Sequence, residues 1–295
     1  MSQKSKNSLV SIGLPVYNGG PMLERALKSL LAQDFGDFEL IISDNASTDS
    51  TQALSAAYAR NDPRIRYSRN ERNIGVMPNF NRVRELATAE YFMWASHDDT
   101  WSSNYVGALV QLLEQNDSPV LSAGRTEYVT ETGERDPLPM THAPPSSIVA
   151  TEELIVQLLE EHPTSWFYGI YRRAALPDLV GNFDRFPVWG GDVLFLLDCC
   201  LNHDVVGDDT AVIYKMNNRE SRYRPITPRQ RTAWQFAFAT GLVRVMAESK
   251  LPWSRKLALR SNFLRYGRKR VFSASLRSTA RQWVRAAAAV GRGDE

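Results

Sequence analysis

The fold is decided by residues 9–44, which read LVSIGLPVYNGGPMLERALKSLLAQDFGDFELIISD. Residues 9–17 are apolar and favour a strand. Residues 18–21, Asn-Gly-Gly-Pro, supply a turn and a proline suited to the first position of a helix. Apolar residues then recur at helical spacing over residues 22–32, and a second apolar strand follows at residues 38–43. The stretch therefore predicts a strand–helix–strand unit.

The same alternation of strands and helices continues to about residue 130. Further strands are predicted at residues 64–69, 91–96 and 119–124, with helices ending near Arg60, Ala87 and Gln115 between them. These strands are apolar on both faces, as expected of a sheet that helices cover on two sides. We predict an α/β fold with a Rossmann-like, mostly parallel central sheet flanked by helices, and a helical C-terminal region.

The composition is that of an ordinary globular protein, with 295 residues, 43% hydrophobic, 23% charged and a net charge of +2. The adjacent Cys199 and Cys200 provide neither a disulfide framework nor a four-ligand zinc site. No apolar signal-peptide core follows the polar N-terminus, and no segment approaches the roughly 18 uninterrupted apolar residues of a transmembrane helix. These features predict a cytoplasmic location.

Positive charge is concentrated at the C-terminal end. Residues 251–295 hold 11 Lys+Arg against 2 Asp+Glu, a net +9, so the first 250 residues carry −7. Basic helices with interleaved aromatics are typical of segments that lie on anionic membranes. The alternative is a packing or homodimer element with a solvated basic face. No RNA-binding motif accompanies the basic stripe, so no nucleic-acid partner is expected.

Polar clusters follow three of the predicted strands. They are Tyr17-Asn18, Asp44-Asn45 and His97-Asp98-Asp99. Each alone is compatible with a simple turn, but ligands of an open parallel sheet bind at this edge, so three clusters favour a site. Adjacent carboxylates suit Mg²⁺ or Mn²⁺, which prefer oxygen ligands and often share them with substrate phosphates. A Walker phosphate loop and a G-x-G-x-x-G fingerprint are absent, which argues against P-loop ATPases and dinucleotide oxidoreductases.

Four segments, in order, resemble the motifs of family 2 glycosyltransferases. They read VSIGLPVYNGGPMLERALKSLLAQDFGDFELIISDNASTDST from residue 10, NERNIGVMPNFN from residue 70, AEYFMWASHDDTW from residue 89, and WGGDVLFLLDCCLNHDVVGDDTAVIYK from residue 189. The resemblance spans about residues 9–220. It implies the GT-A fold and inverting transfer of a sugar from a nucleoside-diphosphate donor, with UDP-sugars favoured, to an acceptor hydroxyl.

The resemblance and the basic C-terminal stretch together predict a domain plan and partners. A catalytic domain is expected at residues 1–225, with a nucleotide-sugar half at about 8–130 and an acceptor half at about 131–225. A basic helical region follows at 226–295. The expected acceptor is a glycan or a lipid-linked glycan of bacterial surface-polysaccharide or glycolipid synthesis. Such an acceptor would bring the enzyme to the inner face of the membrane, with 226–295 as the point of contact.

The resemblance assigns residues to the donor and the metal. Those implied to contact the nucleotide sugar are Pro15, Tyr17, Asn18, Asp44, Asn73, Gly75, Asn81, His97 and Asp98. Asp44 matches the acid that accepts a hydrogen bond from a ring N–H of the base. Asp98 and Asp99 match the end of the D-x-D-type motif, with Asp99 as the main ligand of Mn²⁺ or Mg²⁺. His97 replaces the usual first Asp of that motif.

The catalytic base implied by the resemblance is Asp192. Gly191 stands where the family usually has a Glu, and the alternative role for Asp192 is to cap the following helix. In the inferred mechanism Asp192 takes a proton from the acceptor hydroxyl, and the metal stabilises the departing diphosphate. The proline-rich residues 134–147 are predicted to form an exposed loop that closes over the donor.

Other contacts are more loosely implied. Asn217 and Arg219 stand near the position of a His-containing loop of the family and are candidates for the diphosphate, while Phe80 replaces an Arg that the family often has. Trp166, Tyr168 and Trp189 are candidates for stacking on an acceptor sugar, with core packing as the alternative for each.

Two other functions compete with glycosyl transfer. A nucleotidyltransferase would normally carry a Gly-rich loop with Lys or Arg after the first strand, and PVYNGGPMLER lacks that basic loop. A non-catalytic sugar-nucleotide or glycan-binding module would not need Asp98, Asp99 and Asp192 together. Loss of transfer with retained donor binding in Asp192→Asn would separate the enzyme from the binding module.

Overall fold

The computed structural model describes residues 8–130, 132–177, 190–216 and 227–268, and within them eight strands form one sheet. The strands are β1 (Val10–Val16), β2 (Phe38–Asp44), β3 (Ile65–Arg69), β4 (Tyr91–Trp94), β5 (Thr100–Trp101), β6 (Leu121–Val129), β7 (Ile170–Arg172) and β8 (Val205–Met216). Their order across the sheet is β3-β2-β1-β4-β7-β6-β8-β5. Only β5 and β7 run against the other six, so the predicted mostly parallel sheet is confirmed.

Helices flank the sheet on both faces. They are α1 (Gly20–Leu31), α2 (Thr51–Asn61), α3 (Val76–Glu85), α4 (Tyr105–Gln115), α5 (Thr151–Glu161), α6 (Gly191–Asn202), α7 (Pro228–Glu248) and α8 (253–268). Because helices cover both faces, β1 is buried along its whole length. The parallel register pairs Val16 with Asp44, which brings the carboxyl ends of β1 and β2 to the same edge.

The second half of the sheet differs from the sequence prediction in two places. The aromatic and apolar residues 166–171 favour a strand by sequence, but they form the end of a 3₁₀ helix at Thr164–Tyr168 and then the short antiparallel β7. Strand β5 was not predicted, because two residues cannot show a periodicity. It matters for the site, because it pairs Thr100 with Tyr214 of β8 and so brings the end of β8 beside residues 98–99.

The two faces of the sheet carry separate hydrophobic cores. The core that contains α5 and α6 also includes Phe238 and Leu242 of α7 and Phe263 and Tyr266 of α8. The described helices beyond the predicted boundary at residue 225 therefore pack on the same core as α5 and α6, and the division into domains stays a prediction. In the part of the chain that the structure describes, none of the helices combines the length and the apolar character that a membrane span requires.

The proline-rich residues 134–147 are joined to the sheet by hydrogen bonds and by buried side chains. Thr141 and Thr126 exchange two backbone hydrogen bonds of 2.8 and 3.1 Å. The amide of Ala143 donates to Asp209 over 2.8 Å, and the side chains of Thr141 and Ala143 are buried. These contacts attach the segment to β6 and β8, and its closure over a donor stays a prediction.

Candidate active site

The loops after β1 and β2 are linked to each other at the carboxyl edge of the sheet. The backbone N–H of Asn18 donates to Ser47 Oγ over 2.9 Å, and Asn18 Oδ1 accepts from the N–H of Thr48 over 2.8 Å. Tyr17 is 42% exposed beside this link, whereas Pro15 is buried within β1 opposite Ser43. Tyr17 and Asn18 thus lie at the carboxyl edge of the sheet. Pro15 lies below them inside β1, where it supports the strand end and is not exposed.

Asp44 lies at the end of β2 and is fully buried. One carboxylate oxygen accepts from the Ser47 N–H at 2.8 Å, and the other accepts from the Tyr67 hydroxyl at 3.0 Å and from Arg69 at 2.6 Å. Burial, together with the hydrogen bond to Asp44, raises the pKa of Tyr67 to about 12. Asp44 therefore holds the loop in shape through both oxygens. Its contact with a nucleotide base stays a prediction.

A network of asparagines lies beside Asp44. Asn45 donates to Asn73 Oδ1 at 2.9 Å and to the Gly75 carbonyl at 3.1 Å, and it accepts from Asn70 at 3.0 Å. Asn70 also donates to Asn79 Oδ1 at 3.1 Å.

Ser43 completes this network. Its hydroxyl donates to Asn79 Oδ1 at 2.7 Å, while Asn79 Nδ2 donates to the Ser43 carbonyl at 2.9 Å. We call Asn45, Asn70, Asn73, Asn79 and Ser43 the asparagine network. It joins the end of β2 to the segment before α3, where the predicted donor residues Asn73 and Gly75 lie. Asn81, also predicted, lies two residues beyond Asn79 on α3 and is half-buried.

The His97-Asp98-Asp99 sequence links β4 to β5. The His97 ring lies against the β1–α1 turn, since a methyl group placed on Gly19 would come within 3.4 Å of its Cδ2. Asp98 accepts from the Ser96 hydroxyl. Burial opposes ionisation of Asp98, but His97 and Ser96 outweigh it and keep the pKa of this carboxyl below its usual range.

Asp99 is the most enclosed carboxylate of this loop, with 3% of the residue exposed. Burial raises its pKa to about 6, despite the opposing effects of Lys215 and of a hydrogen bond from the Met216 backbone. Asp99 is therefore anchored to β8, which explains how a loop carboxylate can be held in one position.

Lys215 and Tyr168 complete this part of the site. Lys215 Nζ lies 3.8 Å from Asp99 Oδ2 and 4.8 Å from the centre of the Tyr168 ring. Burial opposes the charge on Lys215, but Asp99, and to a lesser degree Tyr168, Tyr128 and Asp192, raise its pKa above the usual range. Sequence reasoning did not identify Lys215, because only the pairing of β8 with β5 brings it to Asp99.

Asp192 lies in the first turn of α6, where Gly190 is the residue at the cap position. Its carboxylate accepts from the N–H of Val193 at 2.9 Å, and a carboxylate here is favoured by the helix dipole. Burial raises the pKa of the Tyr168 hydroxyl, and the negative charges of Asp99, Asp98 and Asp192 raise it further against the opposing effect of Lys215. One phenol thus lies within electrostatic reach of all three carboxylates. We call Asp98, Asp99, Asp192, Lys215 and Tyr168 the carboxylate cluster.

The predicted acceptor and diphosphate residues divide into three groups. Trp166 has no exposed surface and donates its indole N–H to the His142 carbonyl at 3.0 Å, which favours the core-packing role and leaves no ring face for a sugar. Tyr168 is half-buried within the carboxylate cluster. Trp189, Asn217 and Arg219 lie outside the described residues.

Solved structures show the same architecture. TarS 1–349 of S. aureus, crystallised in complex with UDP-GlcNAc, superposes with a TM-score of 0.67 at 21% identity, over 88% of this chain and 73% of that one. The mannosyltransferase PcManGT of Pyrobaculum calidifontis, in complex with GDP-Man and Mn²⁺, gives a TM-score of 0.53 at 18% identity, over 97% and 81%. The shared class is the GT-A fold.

Sequence comparisons lead to the family. The model described as Glycosyl transferase family 2 matches residues 11–180, more than half of the chain. WcaA of Escherichia coli K12, named for a glycosyl transferase of colanic acid biosynthesis, is 37% identical over 109 residues, which are 37% of this chain and 39% of WcaA. EpsJ of Bacillus subtilis, an uncharacterized glycosyltransferase, is 28% identical over 168 residues, or 56% and 46%. The chain covers less than half the length of these two relatives. Because the family model matches more than half of the chain, the chain belongs to glycosyl transferase family 2.

Proposed function

We propose that this chain transfers a sugar from a nucleoside-diphosphate donor to an acceptor hydroxyl, with inversion at the anomeric carbon. The observation that supports the proposal is the carboxylate cluster, in which the charges of Asp98, Asp99 and Asp192 all act on the Tyr168 hydroxyl and Lys215 lies 3.8 Å from Asp99. Membership of the family favours glycosyl transfer over nucleotidyl transfer. A binding module without activity remains the alternative that the Asp192→Asn variant tests.

The reaction needs one base and one stabilised leaving group. Asp192 accepts the proton of the acceptor hydroxyl as its oxygen forms a bond to the anomeric carbon. The bond from that carbon to the diphosphate breaks in the same step, and its electron pair leaves with the nucleoside diphosphate. Because attack and departure occur on opposite faces of the sugar, the configuration inverts and no covalent enzyme intermediate is required.

A divalent cation fits the residues of this site. Among the described residues, no group of three or more His, Cys, Asp or Glu side chains converges on one point. Mg²⁺ commonly uses only one or two carboxylates and takes its other ligands from water and substrate phosphates. Asp99, anchored by the Met216 backbone, and Asp98 supply such a pair. A bound Mn²⁺ or Mg²⁺ would offset the negative charge of the leaving diphosphate.

A UDP-sugar is the favoured donor, with GDP and dTDP as alternatives. UDP-GlcNAc and UDP are bound in the related TarS structures, while GDP-Man is bound in the mannosyltransferase. WcaA, which is named for colanic acid biosynthesis, supports an acceptor of the surface-polysaccharide type.

The decisive experiment is calorimetric titration with UDP, GDP and dTDP, each with and without Mn²⁺, on wild type and Asp99→Ala. We expect one nucleotide to bind in a manner that needs both the cation and Asp99. Exposed Asp117→Ala is the matched control. Absence of binding for every nucleotide would overturn the donor-site proposal, and an NMR assignment of the product anomer would test inversion.

We further propose that the hairpin of α7 and α8 contacts an anionic membrane surface from the cytoplasmic side. Five large apolar side chains on these helices are more than half exposed: Phe236, Val243, Trp253, Leu257 and Leu264. They border a groove of about 820 Å³ that Lys256, Arg260 and Arg268 also line. Exposed apolar groups beside cations match a bilayer interface with anionic headgroups.

Charge favours a lipid surface over the other occupants of this groove. Residues 269–295 hold 6 Lys+Arg against 2 Asp+Glu, a net +4, so folding them onto the hairpin would bring like charges together. A second copy of the hairpin packed on this groove would bring the cations of the two copies together. Only an anionic partner satisfies the apolar and the basic groups at once.

Vesicle co-sedimentation tests this contact. We expect binding to phosphatidylglycerol-containing vesicles but not to pure phosphatidylcholine vesicles, and loss of binding in Phe236→Ser/Trp253→Ser and in Lys256→Glu/Arg260→Glu. The control is Ile148→Ser, which alters an exposed apolar residue outside the hairpin. Vesicle binding unchanged in both double variants, or a dimer that both variants disrupt, would contradict the membrane contact.

A further inference from the structure

Lys215 is placed by strand register at the point where two parts of the site meet. Its backbone pairs with Tyr128 of β6 on one side. On the other side, the antiparallel pairing of Tyr214 with Thr100 brings the next residue, Lys215, opposite Asp99. The lysine is therefore fixed at the end of β8 by its own pairing with β6 and by the pairing of the preceding residue with β5, and its place does not depend on a loop.

The ammonium of Lys215 is enclosed but incompletely neutralised. Its side chain is 23% exposed, and Nζ lies 3.8 Å from Asp99 Oδ2. A charge-assisted hydrogen bond is typically about 2.7–2.9 Å long, so this contact is an ion pair without a short hydrogen bond. The other contact in the described chain is the Tyr168 ring, which attracts the cation without accepting a conventional hydrogen bond. The three N–H donors of the ammonium are thus held beside the carboxylates. They can donate hydrogen bonds to an anionic oxygen of a ligand.

The charges around Lys215 indicate which ligand could accept hydrogen bonds from its ammonium group. Asp99 forms the ion pair with the ammonium, and the Asp98 and Asp192 carboxylates contribute to the same electrostatic environment. The leaving diphosphate of a sugar donor adds further negative charge in this space. A divalent cation on Asp98 and Asp99 would offset part of that charge, and an ammonium at hydrogen-bond distance would offset another part.

We infer that Lys215 binds the distal phosphate of the donor's diphosphate group and stabilises the charge that develops on it. This inference rests on the proposed function, because it assigns a residue to the leaving group of that reaction. Asp99 and Tyr168 hold the ammonium in place until the diphosphate arrives. Lys215 thereby fills a role for which the sequence suggested Asn217 or Arg219.

Paired nucleotides distinguish a phosphate contact from a structural role. The probes are UDP and UMP, GDP and GMP, and dTDP and dTMP, titrated calorimetrically in the presence of Mn²⁺ on wild type, Lys215→Met and Lys215→Arg. We expect Lys215→Met to weaken binding of the diphosphate by roughly 10- to 100-fold, as for loss of a hydrogen bond to a charged group, and to change binding of the monophosphate less than threefold. Lys215→Arg should retain most of the affinity.

Each outcome supports or overturns the inference. Equal weakening of the diphosphate and the monophosphate by Lys215→Met would indicate that the lysine only supports the loop of Asp99, and would overturn it. Unchanged diphosphate binding would overturn it as well, while leaving the proposed function intact. Wild type that binds no nucleotide would overturn both together. Lys250→Met, on the exposed end of the hairpin, is the matched control. If Lys215→Met does not fold, Lys215→Gln gives the same comparison.

Discussion

The asparagine network and the carboxylate cluster lie on the same edge of one sheet, yet they are built on opposite principles. In the asparagine network, amide, hydroxyl and backbone groups bind one another at 2.7–3.1 Å. In the carboxylate cluster, Asp99 is buried with its nearest cation 3.8 Å away. Satisfied buried polar groups make a structure rigid, whereas a buried charge whose ion pair is long opposes folding. One region thus gives this edge of the sheet its shape, and the other keeps enclosed charged groups, which is what the proposed function requires.

The largest effect is expected from Asp192→Asn in the carboxylate cluster. Removing a general base typically slows a reaction by about 10²–10⁴-fold, while the free energy of unfolding should stay within about 1 kcal/mol of wild type. The measurement is release of nucleoside diphosphate from the sugar donor whose nucleotide binds, alongside urea denaturation. Asp117→Asn is the exposed control. Full activity in Asp192→Asn would remove Asp192 from the mechanism.

The opposite result is expected in the asparagine network. Asn79→Ala removes the partner of Ser43 and Asn70 within a buried environment. Because the groups left behind lose their hydrogen bonds, we expect the free energy of unfolding to fall by about 2–4 kcal/mol in urea denaturation. The control is Asn61→Ala at the exposed end of α2, which should stay within about 0.5 kcal/mol. A loss below 1 kcal/mol at Asn79 would break the contrast between the two regions.

The buried charge of Asp99 should destabilise the fold in a pH-dependent way. Its pKa is raised from 3.8 to about 6, so between these values the folded chain holds a proton that the unfolded chain has released. Asp99 therefore lowers the free energy of unfolding as pH rises through this interval. Relative to Asp99→Asn, wild type should lose about 2–3 kcal/mol between pH 4 and pH 7.5, measured by urea denaturation in EDTA. A pH-independent difference would show that Asp99 is not an enclosed charge.

The parts of the molecule that could be predicted from sequence are those set by local periodicity. Strands β1 to β4 and helices α1 to α4 follow from apolar spacing, and the polar residues at strand ends indicated the site edge. Lys215 and Asn79 were missed because their roles depend on tertiary pairing. In the sequence, Asn79 is indistinguishable from an ordinary polar residue of a helix. Its role becomes visible only in the fold, where it accepts a hydrogen bond from Ser43. Trp166 shows the converse, since an aromatic in the right segment proved to be part of the core.

The smallest effect is expected from a strained backbone position next to the asparagine network. Ala46 follows Asn45 with φ of 61°, a left-handed conformation that is unfavourable for a residue with a Cβ. Replacing it with glycine removes about 1–2 kcal/mol of strain but adds about 0.5–1 kcal/mol of unfolded-chain entropy. We therefore expect Ala46→Gly to raise the free energy of unfolding by about 0.5–1 kcal/mol, detectable by urea denaturation. The control is Ala57→Gly in the middle of α2, which should destabilise by a similar amount. Destabilisation in both variants would show that the loop after β2 does not hold Ala46 in a strained conformation, and the asparagine network would then fix the loop less rigidly than its hydrogen bonds indicate.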